Sequence, residues 1–320
     1  MASTDLVDVH HHFVPPAYRD ALVASGNQRP DGIGAIPEWS EAAALGLMDQ
    51  VGIRMAFLSI TSPGVLLDGC NEVDLARHVN EVSAGLIASN PGRFGGFATL
   101  PLPDVDASLT EIERSLDEDG LDGVVALTHY RDHYLGSAVF DPIFEELDRR
   151  HAVVFVHPTS PLCCADTSLG YPAPVLEFMF DTTRAVMNLV YSGTLDRFPN
   201  VQWIIPHAGA ALPALAARLE AMPLLSDRTA ATSPFRTYLG GMMYDLAGPR
   251  TDTRLSELLS VAGPTQLLYG SDWPFTPVPA VRTMLSDIDA LALPGPSTPR
   301  VTLSENARRL LPRSGTTDGI

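Results

Sequence analysis

Leu6-Val7-Asp8-Val9-His10-His11-His12 is a short run, patterned like a buried strand, that ends in three consecutive histidines. In a β-strand, side chains two positions apart share one face. His10 and His12 are therefore expected to point to the same side, and His11 to the opposite side. Two imidazoles on one face of a strand form a preorganised pair of metal ligands. The fold follows from where this strand lies among the other strands of the chain.

Two further apolar runs also end in a side chain that binds metals. Val153-Val154-Phe155-Val156 leads into His157, and Leu267-Leu268-Tyr269 leads through Gly270-Ser271 to Asp272. If these strands are parallel neighbours in one sheet, their carboxyl ends meet at one rim. Three imidazoles and one carboxylate would then form a metal site of three nitrogens and one oxygen.

His207 follows the strand-like run Val201–Ile205 and precedes Gly209, which permits close backbone approach. It is a candidate fourth nitrogen ligand or an acid/base group. A catalytic metal needs an open position for water or substrate, so proton transfer is the role we expect for it.

Each candidate also has a structural explanation. These alternatives are a tag remnant for the histidines at the amino end, a capped structural side chain for His157, and a turn before Pro274 for Asp272.

Eight strand-like runs alternate with helical patterns along the whole chain. The predicted strands are Leu6–His10, Met55–Ile60, Phe94–Thr99, Gly123–Leu127, Ala152–Val156, Val201–Ile205, Met242–Leu246 and Gln266–Tyr269. The predicted helices between them are Ser40–Val51, Leu75–Ala88, Ala107–Leu116, Phe140–Arg150, Leu176–Ser192, Leu212–Met222 and Arg254–Val261. Eight such repeats favour a single-domain (β/α)8 TIM barrel over residues 1–320. An open doubly wound sheet is disfavoured because no G-x-G-x-x-G follows the first strand.

Three segments depart from this repeat. Residues 13–37 are rich in proline and glycine and are expected to form a long first loop that acts as a lid. Residues 158–174 form a second long loop, directly after His157. Residues 312–320 are expected to be a frayed tail.

Composition excludes several functions. The formal net charge is −17, which disfavours nucleic acid and anionic membranes as partners. All 21 basic residues are arginine. A Schiff-base lysine, a P-loop lysine and a carboxylated lysine that bridges two metals are therefore excluded, and a mononuclear metal site is favoured.

The three cysteines and the absence of a signal-peptide pattern or a long apolar run indicate a soluble, cytoplasmic protein. Arg131, Arg184 and Arg218 are candidates to bind a substrate carboxylate, although an arginine in such a position is more often a surface or helix-pairing residue.

The chain resembles the amidohydrolase superfamily, in the branch of the aminocarboxymuconate-semialdehyde and hydroxybenzoate decarboxylases. The stretches that carry the resemblance are Asp8-Val9-His10-His11-His12-Phe13, residues 48–52, residues 76–81, Phe155-Val156-His157-Pro158, residues 192–199, Pro206-His207-Ala208-Gly209 and residues 270–275. Residues 169–172 and 180–186 look most like sequences of the 6-methylsalicylate decarboxylase type.

The resemblance implies a distorted (β/α)8 barrel, a homodimer and one divalent metal, zinc or manganese. It also implies His10, His12, His157 and Asp272 as ligands, with His207 as acid/base. The muconate-semialdehyde enzymes hold the substrate carboxylate with an arginine in the first loop. The comparable stretch here, Ile36-Pro37-Glu38-Trp39, has none. An aromatic substrate is therefore favoured, with Trp39 as a stacking wall.

The expected substrate is an ortho-hydroxybenzoate that loses CO2 after Asp272 or His207 delivers a proton to the ring carbon. The main alternative is hydrolysis of a lactone, ester or amide at the same site, with Asp272 as the base. A metal-stabilised scaffold or binding protein is a third alternative, but structural metal sites are usually closed.

Overall fold

Eight parallel strands form one sheet in which each strand is hydrogen-bonded to the next one along the chain. A computed structural model describes residues 6–248 and 252–315. The strands are β1 Leu6–His12, β2 Ile53–Ser59, β3 Phe94–Thr99, β4 Gly123–Leu127, β5 Val153–His157, β6 Gln202–Ile205, β7 Met243–Asp245 and β8 Leu267–Leu268. The predicted (β/α)8 barrel is confirmed, and the predicted strand bounds hold to within two residues.

The barrel closes between the first and the eighth strand. The amide of Val9 donates to the carbonyl of Tyr269 at 2.9 Å, and the amide of His12 donates to that of Trp273 at 2.7 Å. In the opposite direction, the amide of Asp272 donates to the carbonyl of His10 at 2.8 Å. These bonds hold the residues after β8 directly beside the histidines of β1.

Helices cover the outside of the barrel and begin where the sequence supplies caps. The longer ones are α1 Pro16–Ala24, α2 Glu41–Val51, α3 Glu72–Ser89, α4 Val105–Glu113, α5 Asp141–Arg149, α6 Glu177–Tyr191, α7 Leu212–Leu219, α8 Asp252–Leu259, α9 Val278–Asp289 and α10 Pro299–Leu310. In α2, the Ser40 side chain accepts from the amide of Ala43, and Gly52 ends the helix with a φ of 77°. Sequence analysis did not predict α1, α9 and α10, because each has a proline in its first turn within a segment that resembles a loop.

The lower part of the barrel interior is filled by a stack of aromatic rings. Phe57 and Phe97 are stacked with ring centroids 5.6 Å apart, and Phe97 and Phe155 are 5.5 Å apart. Val7 and Val9 pack in the same buried cluster. This apolar plug forms the floor beneath the histidines at the carboxyl ends of the strands.

Two of the irregular segments differ from expectation. Residues 13–37 contain the helix α1, and part of the segment lines a cavity at the carboxyl end of the barrel. Pro312–Gly315, predicted as part of a frayed tail, forms a short helix in which Ser314 is fully buried. Arg54 donates to the carbonyl of Ser314, and Arg313 binds Asp122 at 2.8 Å. The last five residues of the predicted tail lie outside the described residues.

Within the described part of the chain, no helix combines the length and the apolar character that a membrane crossing requires.

Candidate metal centre

Four of the predicted ligands converge at the carboxyl end of the barrel. Nε2 of His10 and Nε2 of His12 are 3.0 Å apart. Oδ1 of Asp272 lies 3.4 Å from the first of these atoms and 3.2 Å from the second. The ligand atoms of His10, His12 and His157 all lie within 4.8 Å of one another. The structure therefore brings together side chains from β1, β5 and the segment after β8.

The backbone and its neighbours fix which nitrogen of each histidine faces the centre. Nδ1 of His10 is 3.0 Å from Oδ2 of Asp245, and Nδ1 of His12 is 3.2 Å from the carbonyl of Ser59. Nδ1 of His157 is 2.7 Å from the carbonyl of Pro158. Since these oxygens can only accept, each Nδ1 carries a proton and each Nε2 is the ring nitrogen that faces the centre.

A break in the alternation of β1 allows this arrangement. Val9 packs into the barrel interior, and the ring of the next residue, His10, also faces inward against Phe155. The register with β2 shifts between Asp8 and His11, which identifies a β-bulge. The Asp8 carboxylate stabilises it, because Oδ1 accepts from the amide of His10 at 3.1 Å and Oδ2 is 3.0 Å from Nδ1 of His11. His11 points away from the centre, as predicted.

The electrostatics of the cluster are those of a cation site. Burial lowers the pKa of His10, but the charges and hydrogen bonds of Asp245 and Asp272 outweigh it and raise the pKa to about 10. Burial opposes ionisation of Asp272, yet hydrogen bonds from His10 and His12 hold the pKa of its carboxyl well below the usual range. Burial, followed by the neighbouring histidines, lowers the pKa of His157 well below that of a free imidazole. The site therefore combines an ionised carboxylate with the protonated imidazole of His10, beside two imidazoles, His12 and His157, whose pKa values are lowered.

The donor set fits one divalent metal. Two ligands about 2.1 Å from a tetrahedral metal lie about 3.4 Å apart, which is close to the separations among His10, His12 and Asp272. Two Nε2 lone pairs that face each other at 3.0 Å repel unless they share a cation. The hydrogen bonds at Nδ1 are the outer partners that orient metal-binding histidines. The residues present therefore match the chemistry of a mononuclear site.

His207 lies beside the cluster and faces the cavity. Its ring centroid is 5.2 Å from that of His10, and its backbone amide donates to Oδ1 of Asp245 at 3.1 Å. His207 and Asp272 both have left-handed backbone conformations, with φ of 57° and 56°. A non-glycine residue seldom adopts this conformation, and such residues concentrate at functional sites.

A cavity of about 860 Å³ opens above the cluster. Its lining includes the polar side chains of His157, His207 and Asp272. It also includes the apolar side chains of Phe178 and Phe275. The remaining lining residues come mainly from residues 30–37, 61–62, 174–180, 210–211 and 247–248. The cluster is therefore accessible to a small molecule that is mostly apolar.

The predicted substrate contacts lie elsewhere. Trp39, Arg131 and Arg184 are absent from the described residues that line the cavity. Trp39 packs edge-on against Phe13 at 6.0 Å. Arg131 is exposed and binds Glu72 at 3.2 Å, and Arg184 is 3.9 Å from Asp181. Phe178, Phe180 and Phe275, which sequence analysis did not propose as substrate contacts, are the phenylalanine side chains in the walls.

Asp245 is the functional residue that sequence analysis missed. It lies at the end of β7 and is fully buried. Its Oδ2 accepts from Nδ1 of His10, and its Oδ1 accepts from the backbone amide of His207. A lone aspartate inside the otherwise apolar strand-like run Met242–Leu246 was the available indication.

We expect Asp245→Asn to weaken metal binding by roughly 10- to 100-fold, because the amide would present a donor to Nδ1 of His10 and favour the wrong tautomer. Competition with a chelator of known affinity measures this change. Asp181→Asn is the matched control, since Asp181 is a buried carboxylate that binds Thr128 and Tyr134 instead of the ligands. Unchanged affinity in Asp245→Asn would contradict the orienting role.

Gly270 makes room for the ligand shell. A Cβ at this position would lie 2.7 Å from Cβ of His10 and 3.1 Å from Oδ1 of Asp245. We expect Gly270→Ala to lower both metal affinity and the free energy of unfolding, the latter by about 1–3 kcal/mol. Gly85→Ala is the control: Gly85 lies in α3 with open space around it, so the alanine should stabilise the fold by about 0.5–1 kcal/mol. Urea unfolding of both variants distinguishes the two effects, and a neutral Gly270→Ala would contradict the close packing.

Comparisons with known proteins agree with this geometry. The family described as Amidohydrolase matches residues 7–313. The 6-methylsalicylic acid decarboxylase of Penicillium expansum is 36% identical over 318 residues, which cover 96% of this chain and 96% of that protein.

Solved structures give the same result for the fold. A structure described as an amidohydrolase II superimposes with a TM-score of 0.89 at 30% identity, covering 96% of this chain and 100% of the other. A dihydroxybenzoic acid decarboxylase from Polaromonas sp. JS666, solved with bound manganese and the inhibitor 2-nitroresorcinol, gives a TM-score of 0.81 at 21% identity. That alignment covers 96% of each chain.

Proposed function

Because this chain belongs to the amidohydrolase family, we propose that it is a metal-dependent, non-oxidative decarboxylase of a small aromatic carboxylic acid. The observation that carries the proposal is the cluster of His10, His12, His157 and Asp272 beneath a cavity with aromatic walls. The identity of 36% to a 6-methylsalicylic acid decarboxylase over nearly the whole chain supports the same reaction.

The substrate we propose is an ortho-hydroxybenzoate. The rings of Phe178 and Phe275 lie in the cavity walls, and their centroids are 6.2 Å from His157 and 5.5 Å from His12 respectively. These two rings are placed to pack on an aromatic substrate whose polar groups face the ligands. Among the described lining residues none is an arginine, so we place the substrate carboxylate toward the ligand cluster.

A divalent metal held by His10, His12, His157 and Asp272 would supply a Lewis acid for the carboxylate and phenol oxygens of the substrate. Zinc is the metal we propose, with manganese as the alternative. The manganese in the Polaromonas decarboxylase shows that a protein of this fold can bind that ion. Elemental analysis of the purified protein determines which metal is bound.

His207 and Asp272 are the groups that we propose for proton transfer. One of them delivers a proton to the ring carbon that bears the carboxylate, and that carbon becomes tetrahedral. If Asp272 is the donor, its ionised carboxyl first takes up a proton from water. The bond to the carboxyl carbon then breaks, its electron pair returns to the ring and restores aromaticity, and CO2 leaves. The group that gave the proton regains one from water, and no redox partner is required.

The proposal is tested by product analysis of metal-quantified protein incubated with 6-methylsalicylate, salicylate and 2,6-dihydroxybenzoate. We expect metal-dependent release of CO2 and of the matching phenol, which is lost in His207→Ala and in Asp272→Ala. Absence of CO2 from all three acids at about one metal per chain would overturn the ortho-hydroxybenzoate assignment. Turnover of a lactone or ester panel under the same conditions would then favour hydrolysis.

We also propose that the chain forms a homodimer. Apolar side chains lie exposed around the loop after β5; they are Leu162, Leu169, Tyr171, Val175 and Leu176. Exposed apolar side chains that concentrate in one stretch of the chain often mark an interaction surface. Light scattering on the eluting protein measures the assembly. The cytoplasmic location stays a prediction.

A further inference from the structure

Asp31 contributes a carboxylate to the cavity wall and is not one of the predicted metal ligands. It lies in the segment 13–37 and adopts a left-handed backbone conformation with φ of 54°. Apart from Asp272, it is the only carboxylate among the described residues that line the cavity. The wall beside it is largely apolar, with Pro30, Ile33 and Val175 among its members. An acidic side chain in such a wall requires an explanation beyond packing.

The hydrogen bonds of Asp31 leave part of its acceptor capacity unused. Its Oδ1 accepts from the hydroxyl of Ser62 at 3.1 Å and from that of Ser160 at 2.5 Å. The backbone amide of Ser160 also bonds the carboxyl group. No arginine or histidine among the described residues forms an ion pair with it. An ionised carboxylate has about four acceptor positions, so these three bonds do not fill its acceptor capacity.

We place the carboxylate of Asp31 beside the edge of a bound ring that points away from the ligand cluster. Ser62 follows Thr61, whose Oγ1 is 3.3 Å from Nε2 of His157. A ring whose carboxylate and ortho-hydroxyl face the ligand cluster projects its other carbons toward the cavity wall. Burial raises the pKa of the Asp31 carboxyl, and hydrogen bonds from Ser160 and Ser62 counteract this effect. A further donor would stabilise the ionised form in the same way.

We infer that Asp31 is a specificity-determining residue that accepts a hydrogen bond from a second hydroxyl group on the ring of the substrate. This inference rests on the proposed decarboxylation and makes dihydroxybenzoates the preferred members of its substrate class. A pocket that offers a buried acceptor discriminates strongly against an analogue without the donor, because the acceptor is then desolvated and unpaired. A methyl group or a hydrogen atom at that ring position leaves Asp31 without this partner.

The experiment compares salicylate with the 2,3-, 2,4-, 2,5- and 2,6-dihydroxybenzoates in the wild type and in Asp31→Asn. Asparagine tolerates the left-handed backbone and keeps an oxygen for the two serine hydroxyls, but it lacks the charge. We expect kcat/KM for the best dihydroxybenzoate to exceed that for salicylate by roughly tenfold or more in the wild type. We expect Asp31→Asn to lower that ratio by a similar factor and to leave salicylate nearly unchanged.

Ser160→Ala is the matched control, because it removes one contact of the segment 13–37 and leaves the carboxylate in place. An equal loss for all substrates in Asp31→Asn, or a loss of the preference in Ser160→Ala alone, would assign Asp31 a structural role and overturn the inference. Equilibrium binding of the same acids to metal-loaded protein is measured in parallel. If no acid releases CO2, the proposed function fails, and the binding ratio of wild type to Asp31→Asn still decides the inference.

Discussion

Replacing His10 and His12 together by alanine is expected to abolish metal binding and to lower CO2 release on the order of 10³-fold or more. The two Nε2 atoms, 3.0 Å apart, are half of the proposed donor set. Their loss leaves His157 and Asp272 as the only two of the proposed ligands. The measurement is kcat with an ortho-hydroxybenzoate alongside metal content per chain.

His11→Asn provides the control for this double variant. His11 is equally buried and adjacent, but it faces Asp8 and Trp273 on the other side of the strand. We expect it to retain metal and most of the activity per bound metal, with some loss of stability. A double variant that keeps the metal, or a His11 variant that loses it, would contradict the assignment of the ligands.

Asp272→Asn is expected to lower kcat by roughly 10²- to 10⁴-fold. Hydrogen bonds from His10 and His12 keep the pKa of this carboxyl low, so the wild-type centre contains a negative charge that asparagine removes. The amide also removes a candidate for proton delivery. The substitution is nearly isosteric, so the left-handed backbone at this position is tolerated.

Metal titration of Asp272→Asn separates its two roles. If kcat stays low at saturating metal, Asp272 acts in the chemistry as well as in binding. Full recovery at saturating metal would restrict it to binding and leave proton delivery to His207. His207→Gln is the comparison, because we expect it to retain metal while losing turnover.

The ends of the strands could be predicted from the sequence because the relevant pattern is local. His10 and His12 share a face through the two-residue period of a strand, and His157 and Asp272 directly follow apolar runs. Parallel strands in a closed barrel then bring these ends to one rim. Neither step requires knowledge of a contact between distant segments.

The partners of the ligands could not be predicted, because they depend on the closed barrel. Asp245 is 235 residues from His10 in the chain, and its position beside the imidazole follows from the order of the strands. The bulge at Asp8 likewise depends on the register between β1 and β2. Strict alternation would have placed Val9 and His10 on opposite faces.

The lining of the cavity is the part that the sequence did not indicate, since Trp39, Arg131 and Arg184 are not among the described lining residues. Trp39 lies close to the first loop in sequence, but its ring packs edge-on against Phe13. The cavity walls come from residues 30–37 and 174–180, which approach each other only in the fold. Loop conformation over such lengths is not determined by local preference.

The central claim is that a proton replaces the carboxylate on the same ring carbon. The most direct measurement is the isotopic composition of the phenol formed from 6-methylsalicylate in D2O, by mass spectrometry and NMR. We predict 3-methylphenol with a single deuterium at the carbon between the hydroxyl-bearing and methyl-bearing carbons, formed together with CO2 and only in metal-loaded protein. Unlabelled product, label at another ring carbon, or 6-methylsalicylate recovered intact while an ester is hydrolysed would contradict the account.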